Sequence, residues 1–258
     1  MSGPALGRSS PAHHGGGLTA PAGGSCPPGG GGPGGHAPGP TGADVTVPGG
    51  ARLVLATHNQ GKLTELRAIL EPLAPGLDPR AVISAALLEV PEPVEDGVSF
   101  VDNALLKARA LSMATGLPAV ADDSGLCVDV LGGAPGIFSA RWCGRHGDDA
   151  ANLRLLLDQI ADVSDPHRTA RFTCAAVLVA PGQAGPTVVE RSMEGRLAHE
   201  PAGEGGFGYD PIFVPASEDA PGGSGRTTAQ MDPAEKNAIS HRGQALRALA
   251  PALAELLS

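Results

Sequence analysis

Ala119-Val120-Ala121-Asp122-Asp123-Ser124-Gly125-Leu126-Cys127-Val128-Asp129-Val130 decides how the chain is read, and Leu131-Gly132-Gly133-Ala134-Pro135-Gly136 continues it. Two apolar runs, too short for helices, flank a polar centre and read as buried strands around a tight turn. Asp, Ser and Gly suit such a turn, because Asp and Ser satisfy local backbone and Gly accepts positive φ. If the segment stays extended instead, alternation sends Asp122 and Asp123 in opposite directions, and one of them faces any given cleft.

Upstream, Arg52-Leu53-Val54-Leu55-Ala56 reads as a first buried strand. Thr57-His58-Asn59-Gln60-Gly61-Lys62 follows, then Leu63, Leu66, Ile69 and Leu70 at helical spacing. Free N–H groups at a helix start, the helix dipole and the Lys62 ammonium together favour an anion. This is not a Walker A loop, since Ala56 stands where its first Gly belongs and Leu63 replaces the magnesium-binding Ser or Thr. Residues 71–98 form an acidic, Pro-rich loop with Glu89, Glu92, Glu95 and Asp96, interrupted by a short strand at Val82-Ile83-Ser84. Ser99 starts a helix with Asp102 in capping position, and Gly116 closes it. On that helix Asn103 and Lys107 are four apart and share a face.

Downstream, Gly132 to Gly136 is a turn into Ser139-Ala140-Arg141-Trp142, with Trp142 read as packing. Asp148 or Asp149 caps a helix whose Leu153, Leu156, Leu157 and Ile160 form the buried stripe. Ala170 to Ala180 and Pro186 to Glu194 read as an antiparallel hairpin. Gly205-Gly206-Phe207-Gly208-Tyr209-Asp210-Pro211 concentrates glycines around two of the chain's few aromatics, a composition suited to close approach by a ligand. Ile212-Phe213-Val214 is a strand, and Ser217 to Thr228 a polar, flexible insertion. Asp232-Pro233-Ala234-Glu235 starts a helix that presents Lys236. Ser240-His241-Arg242-Gly243 interrupts it before a last amphipathic helix from Gln244, kinked at Pro251.

Residues 1–50 are Gly, Pro, Ala and Ser with almost no large aliphatics, and read as a disordered tail without a signal-peptide pattern. The folded domain is expected over 51–258, with the insertion at about 217–229. A net charge of −9 gives no general basic field for nucleic acid, so a polyanionic ligand needs local cations or a metal. No segment has the apolar length of a membrane span. The spacing of Cys26, Cys127, Cys143 and Cys174 matches neither a zinc knuckle nor a redox motif, which suits a reducing cytoplasm.

Taken together, Thr57-x-Asn59-x-Gly61-Lys62, Ala121 to Leu126, Leu131 to Gly136, Gly206 to Asp210 and Ser240 to Gly243 closely resemble the non-canonical purine nucleoside triphosphate pyrophosphatases. The resemblance spans about Arg52 to Leu257, with His58 departing from a common Gly. It implies an α/β fold with a long curved mixed sheet flanked by helices, two lobes with a central cleft, and a homodimer. It implies hydrolysis of ITP, dITP and XTP to the monophosphate and pyrophosphate with Mg²⁺. Carried over, Thr57, His58, Asn59, Gln60, Gly61 and Lys62 bind the triphosphate. Asp123 is the proton acceptor and, with Glu95, a metal ligand. Ser124, Phe207, Gly208, Tyr209, Asp210, Lys236, His241 and Arg242 contact the nucleotide. In this reading Asp123 and Lys62 share one crevice, while Asp210 as acceptor and Arg242 as donor match the N1–H and O6 of hypoxanthine and xanthine and reject adenine. The alternatives are a Maf-type pyrimidine nucleotide pyrophosphatase and a non-catalytic nucleotide-binding protein.

Overall fold

The computed structural model describes residues 45–258; the expected tail, apart from its last six positions, lies outside the described residues. Six strands form one sheet in the order β2-β1-β3-β4-β5-β6. β1 (Leu53–Leu55) runs parallel to β2 (Val82–Ser84) and to β3 (Ala119–Val128). β4 (Thr169–Val179), β5 (Thr187–Leu197) and β6 (Phe213–Pro215) continue the sheet antiparallel. The sheet is therefore mixed, with helices on both faces.

The centre of the chain departs from the expected strand-turn-strand. β3 is one strand of 10 residues, paired with β4 from Ala119↔Val179 to Val128↔Ala170. Asp-Asp-Ser-Gly has turn chemistry, but a complete ladder to β4 satisfies its backbone and outweighs that local preference. Gly125 serves close approach here: a Cβ would collide with the Gly136 carbonyl oxygen and Ser139 Oγ.

Alternation along β3 then sorts the layers. Val120 joins a core under α1 (Gln60–Leu70) and α6 (His241–Leu257), made with Leu66, Leu246 and Leu249. Ala119, Ala121 and Cys127 face the opposite side, where α2 (Phe100–Thr115) packs. Leu126 and Val128 join Leu156 and Ile160, at and just beyond the end of α3 (Asp149–Gln159), in a third cluster. Val45 and Val47 pack against the cluster around Val54 and Ile83, so packed chain begins upstream of Ala51.

The excursion after β6 is cross-linked. It holds the short helix α4 (Ala216–Asp219), whose Glu218 accepts from the backbone of Ser224 and Arg226, and Arg226 pairs with that carboxylate. α5 (Pro233–Ile239) follows, and Ser240 caps α6 by accepting from Gly243 N–H. His241 and Arg242 thus occupy the first turn of α6 rather than a gap before it. Pro251 lies inside α6.

Candidate active site

The short β1 creates the site. It pairs with β3 only as far as Leu55↔Val120, and Ala56 N–H adds a last bond to Val120. The edge of β3 is covered again at Leu126 and Cys127, by Ser139 Oγ and a bridge to Pro135. Between these points residues 122–125 lie beside no strand on that edge. Side chains from both sheet faces converge there on a cavity of about 710 Å³, lined among others by Thr57, Asn59, Lys62, Glu95 and Lys107.

The N-terminus of α1 forms one wall. Asn59 caps the helix by accepting from Gly61 N–H at 2.8 Å, and its own N–H donates to Thr57 Oγ1 at 3.0 Å. Ser84 Oγ donates to the Thr57 carbonyl, fixing the loop to β2. The first turn of α1 contains no acid, so its free N–H groups and dipole suit an anion. His58 meets Glu92 at 3.0 Å across the mouth. Gln60 and Gly61 open the helix in solvent.

Lys62 does not meet Asp123. Its ammonium lies 3.0 and 2.9 Å from the two oxygens of Asp122, and Arg242 Nε donates to the same carboxylate at 2.9 Å. Arg242 Nη2 donates to Ser124 Oγ at 3.0 Å. Burial opposes the Asp122 charge, but these two cations overcome it and hold its carboxyl far below the usual carboxylate range. Alternation along β3 therefore gathers two clusters at the one cavity, with Lys62 on the Asp122 side and Lys107 and Glu95 on the Asp123 side.

Asp123 faces α2. Asn103 Nδ2 donates to it at 3.2 Å, and Lys107 Nζ lies 3.5 Å from Asp123 and 2.8 Å from Glu95. Burial raises the Asp123 pKa, Lys107 opposes that rise, and the Glu95 charge adds to it. Burial also works against the Lys107 ammonium, but its two carboxylates win and raise its pKa. Two carboxylates gathered on one ammonium, one of them desolvated, form a hard-oxygen donor set suited to a divalent cation that keeps waters and phosphate oxygens as its other ligands. Among the described residues no group of three or more His, Cys, Asp or Glu side chains is placed to hold a metal ion.

A second cavity of about 180 Å³ opens beside Ser124 and Arg242. Its walls include the Gly-rich loop, where Gly206 and Gly208 take φ of +75° and +61°. Asp210 builds that loop: it accepts from Phe207 N–H and Thr228 Oγ1, each at 2.8 Å, and from Lys236. Both of its oxygens thus have partners within the protein, and Asp210 also lines the cavity. Phe207 is 64 % exposed, with Lys236 Nζ 5.3 Å from its ring centre, and presents an aromatic face. Gly208 N–H donates to Asp149 at 2.9 Å, and Tyr209 Oη donates to the Ser139 carbonyl at 3.0 Å. His241 stacks on Phe172 with centroids 5.1 Å apart. Burial and then the Arg242 charge lower its pKa to about 3, so the ring is neutral, and its buried Nδ1 has no hydrogen-bond partner among the described residues. Glu65 Oε1 is likewise buried and unpartnered, and burial raises that carboxyl.

Sequence reasoning missed Asp149 and Phe172 as site residues, and left open which of Asp122 and Asp123 faces a cleft. Asn103 had a signal in its four-residue spacing from Lys107; the others are brought in by strand register and distant packing.

The Ham1 family model matches residues 53–252. A dITP/XTP pyrophosphatase of Streptomyces coelicolor is 61 % identical over 206 residues, 80 % of this chain and 98 % of that protein. One from Mycobacterium bovis is 52 % identical over 206 residues, covering 80 % and 96 %. Among solved structures, a HAM1 protein from Coxiella burnetii aligns with a TM-score of 0.70 at 41 % identity, over 80 % of this chain and 99 % of that one. A nucleoside-triphosphatase / dITP/XTP pyrophosphatase from Mycobacterium abscessus aligns with a TM-score of 0.63 at 49 % identity, over 78 % and 99 %.

Proposed function

The chain belongs to the Ham1 family, and from that premise we propose that it hydrolyses the α–β phosphoanhydride of dITP, XTP and ITP to the monophosphate and pyrophosphate. The observation that carries the reading is the Asp123–Lys107–Glu95 cluster beside the anion-receiving start of α1, with an aromatic-walled pocket next to it.

The triphosphate lies along the Thr57–Lys62 loop, where helix N–H groups and Lys62 take its charge. The base enters the second pocket against Phe207 and beside the Phe172–His241 stack. A water hydrogen-bonded to Asp123 attacks the α-phosphorus as the carboxylate accepts its proton, and pyrophosphate departs toward the cations. The raised pKa of Asp123 suits it to that transfer. Asp123 and Glu95 would hold a divalent cation, Mg²⁺ by its preference for carboxylate oxygen, and it would neutralise phosphate charge. Asp122 positions Lys62 and Arg242, so the phosphate and base pockets share one anchor.

Hypoxanthine and xanthine offer N1–H and O6, and unpaired buried groups would cost adenine roughly 1–3 kcal/mol each. Asp210, the buried free acceptor at Glu65 and the donors of Arg242 are the groups in the base pocket available for that choice. The homodimer implied by the family resemblance is part of the proposal. The thiols of Cys127, Cys143 and Cys174 are unpaired, which accords with a reducing cytoplasm. Among the described residues no helix is long and apolar enough to cross a membrane.

The test is product analysis with ITP, dITP, XTP, ATP and UTP, with Mg²⁺ and after chelation. Metal-dependent pyrophosphate release from the deaminated purines is expected. Orthophosphate release would mean γ cleavage, and a preference for UTP would mean a pyrimidine enzyme.

A further inference from the structure

α5 has seven residues and none of them is buried. A helix so short has little stability of its own in water, so its placement depends on what it touches. Yet α5 carries Lys236, which holds Asp210 and covers Phe207, and Asn237, which lines the base pocket. Its last residue, Ile239, packs against the apolar cluster of β5 and β6, and the remaining ties are polar.

Arg226 supplies the largest of those ties. Its Nη1 and Nη2 donate to the two oxygens of Glu235 on α5, at 3.1 and 3.0 Å. Nη2 also reaches Glu218 Oε1 at 2.9 Å, and Nε reaches Glu218 Oε2 at 3.2 Å. Glu235 completes the capping box of α5 by accepting from Asp232 N–H. The guanidinium therefore spans the helix cap and the excursion after β6. A planar fork shared by two carboxylates restrains direction as well as distance, which a lone exposed ion pair does not.

The residues after Arg226 are woven into the opposite wall of the base pocket. Thr227 Oγ1 donates to the Ala202 carbonyl at 2.6 Å, and Thr228 Oγ1 to Asp210 at 2.8 Å. Gly205 N–H donates to the Ala229 carbonyl at 3.0 Å. Arg226 is thus the corner at which the Gly-rich loop, through the backbone, and α5, through the side chain, are joined.

We propose that Arg226 is a positioning residue for nucleotide recognition, setting the separation between the Phe207–Asp210 arm and the Lys236–Asn237 arm of the base pocket. The proposal rests on the pyrophosphatase reading, and deepens it by assigning the excursion a part in base binding.

Two measurements on the full chain test it. Arg226→Ala should raise KM for ITP about tenfold and leave kcat within about twofold, because arm spacing governs binding rather than the chemistry at Asp123. Arg226→Lys, which keeps the charge and reaches one carboxylate, should fall between. Arg196→Ala removes the ion pair to Asp219 at the other end of the excursion and should leave KM unchanged. Hydrogen exchange without substrate should be about tenfold faster at residues 233–239 in Arg226→Ala and unchanged in α6 beyond its first turn. An unchanged KM, an effect confined to kcat, an equal effect of Arg196→Ala, or unaltered exchange at α5 would each overturn the assignment. Absence of ITP turnover in the unaltered protein would count against the activity alone, since the exchange comparison needs no nucleotide.

Discussion

Asp122 and Asp123 are adjacent carboxylates that the fold treats in opposite ways. The Asp122 side chain is 2 % exposed, is paired with both Lys62 and Arg242, and stays ionised far below the ordinary range. The Asp123 side chain is 15 % exposed, shares one ammonium with Glu95, and has a raised pKa. One has its charge compensated by two cations; the other shares a single cation with a second carboxylate. The difference comes from which sheet face each residue meets: α1 and α6 bring two cations to one side, and α2 brings one cation and a competing carboxylate to the other. In the proposed mechanism, Asp123 is made a general base by withholding partners as much as by supplying them.

The sharpest way to break this contrast is Asp123→Asn. Turnover of ITP should fall by about 10²–10⁴ while its affinity, measured by calorimetry, holds; undiminished turnover would move the base elsewhere. Asp122→Ala should act on stability first. Removing one partner from a buried pair leaves charges uncompensated, and denaturant melts should show a loss of about 3 kcal/mol. Because the folded pKa of Asp122 is depressed, its contribution is present above the ordinary carboxylate value and disappears as pH falls. The stability gap between this variant and the parent should therefore close in acid.

The Asp123 side can be tuned in both directions. As a base Asp123 must be ionised, so the acid limb of kcat/KM should lie above the ordinary aspartate value of about 3.9. Lys107→Gln removes the charge that lowers its pKa and should move the limb up; Glu95→Gln removes a charge that raises it and should move the limb down. Equal shifts of one sign would refute the geometry. The smallest effect is expected from Ser124→Ala, which loses one bond to Arg242. About a fivefold fall in kcat/KM for ITP corresponds to a hydrogen bond of about 1 kcal/mol.

Local signals were legible wherever one element satisfied itself. Ser99 and Gly116 bound α2, with Ser99 accepting from Asp102 N–H and Gly116 in the left-handed region, as the capping pattern required. Asp232 with Glu235 starts α5, as the capping pattern there also required. The Gly-rich loop was recognisable by its composition. What local reading misjudged depended on partners far along the chain. Asp-Asp-Ser-Gly became strand because β4 pairs with it, and Lys62 turned to Asp122 because of strand parity. Asp210, read as a base-reading acceptor, has further partners in Phe207, Thr228 and Lys236 that the sequence did not indicate.

By itself the sequence determined the order of elements, the caps that delimit its helices, and the motifs that place the chain in its family. Those properties follow from backbone preferences and side-chain spacing, which act over a few residues. The resemblance singled out Asp123 as the proton acceptor, but only the tertiary structure decided that its neighbour Asp122 is a buried anchor for two cations and that Asp123 keeps a single, shared one. A carboxylate's charge state depends on the cations and desolvation around it, and here these come from helices 60 residues upstream and 120 downstream of Asp122.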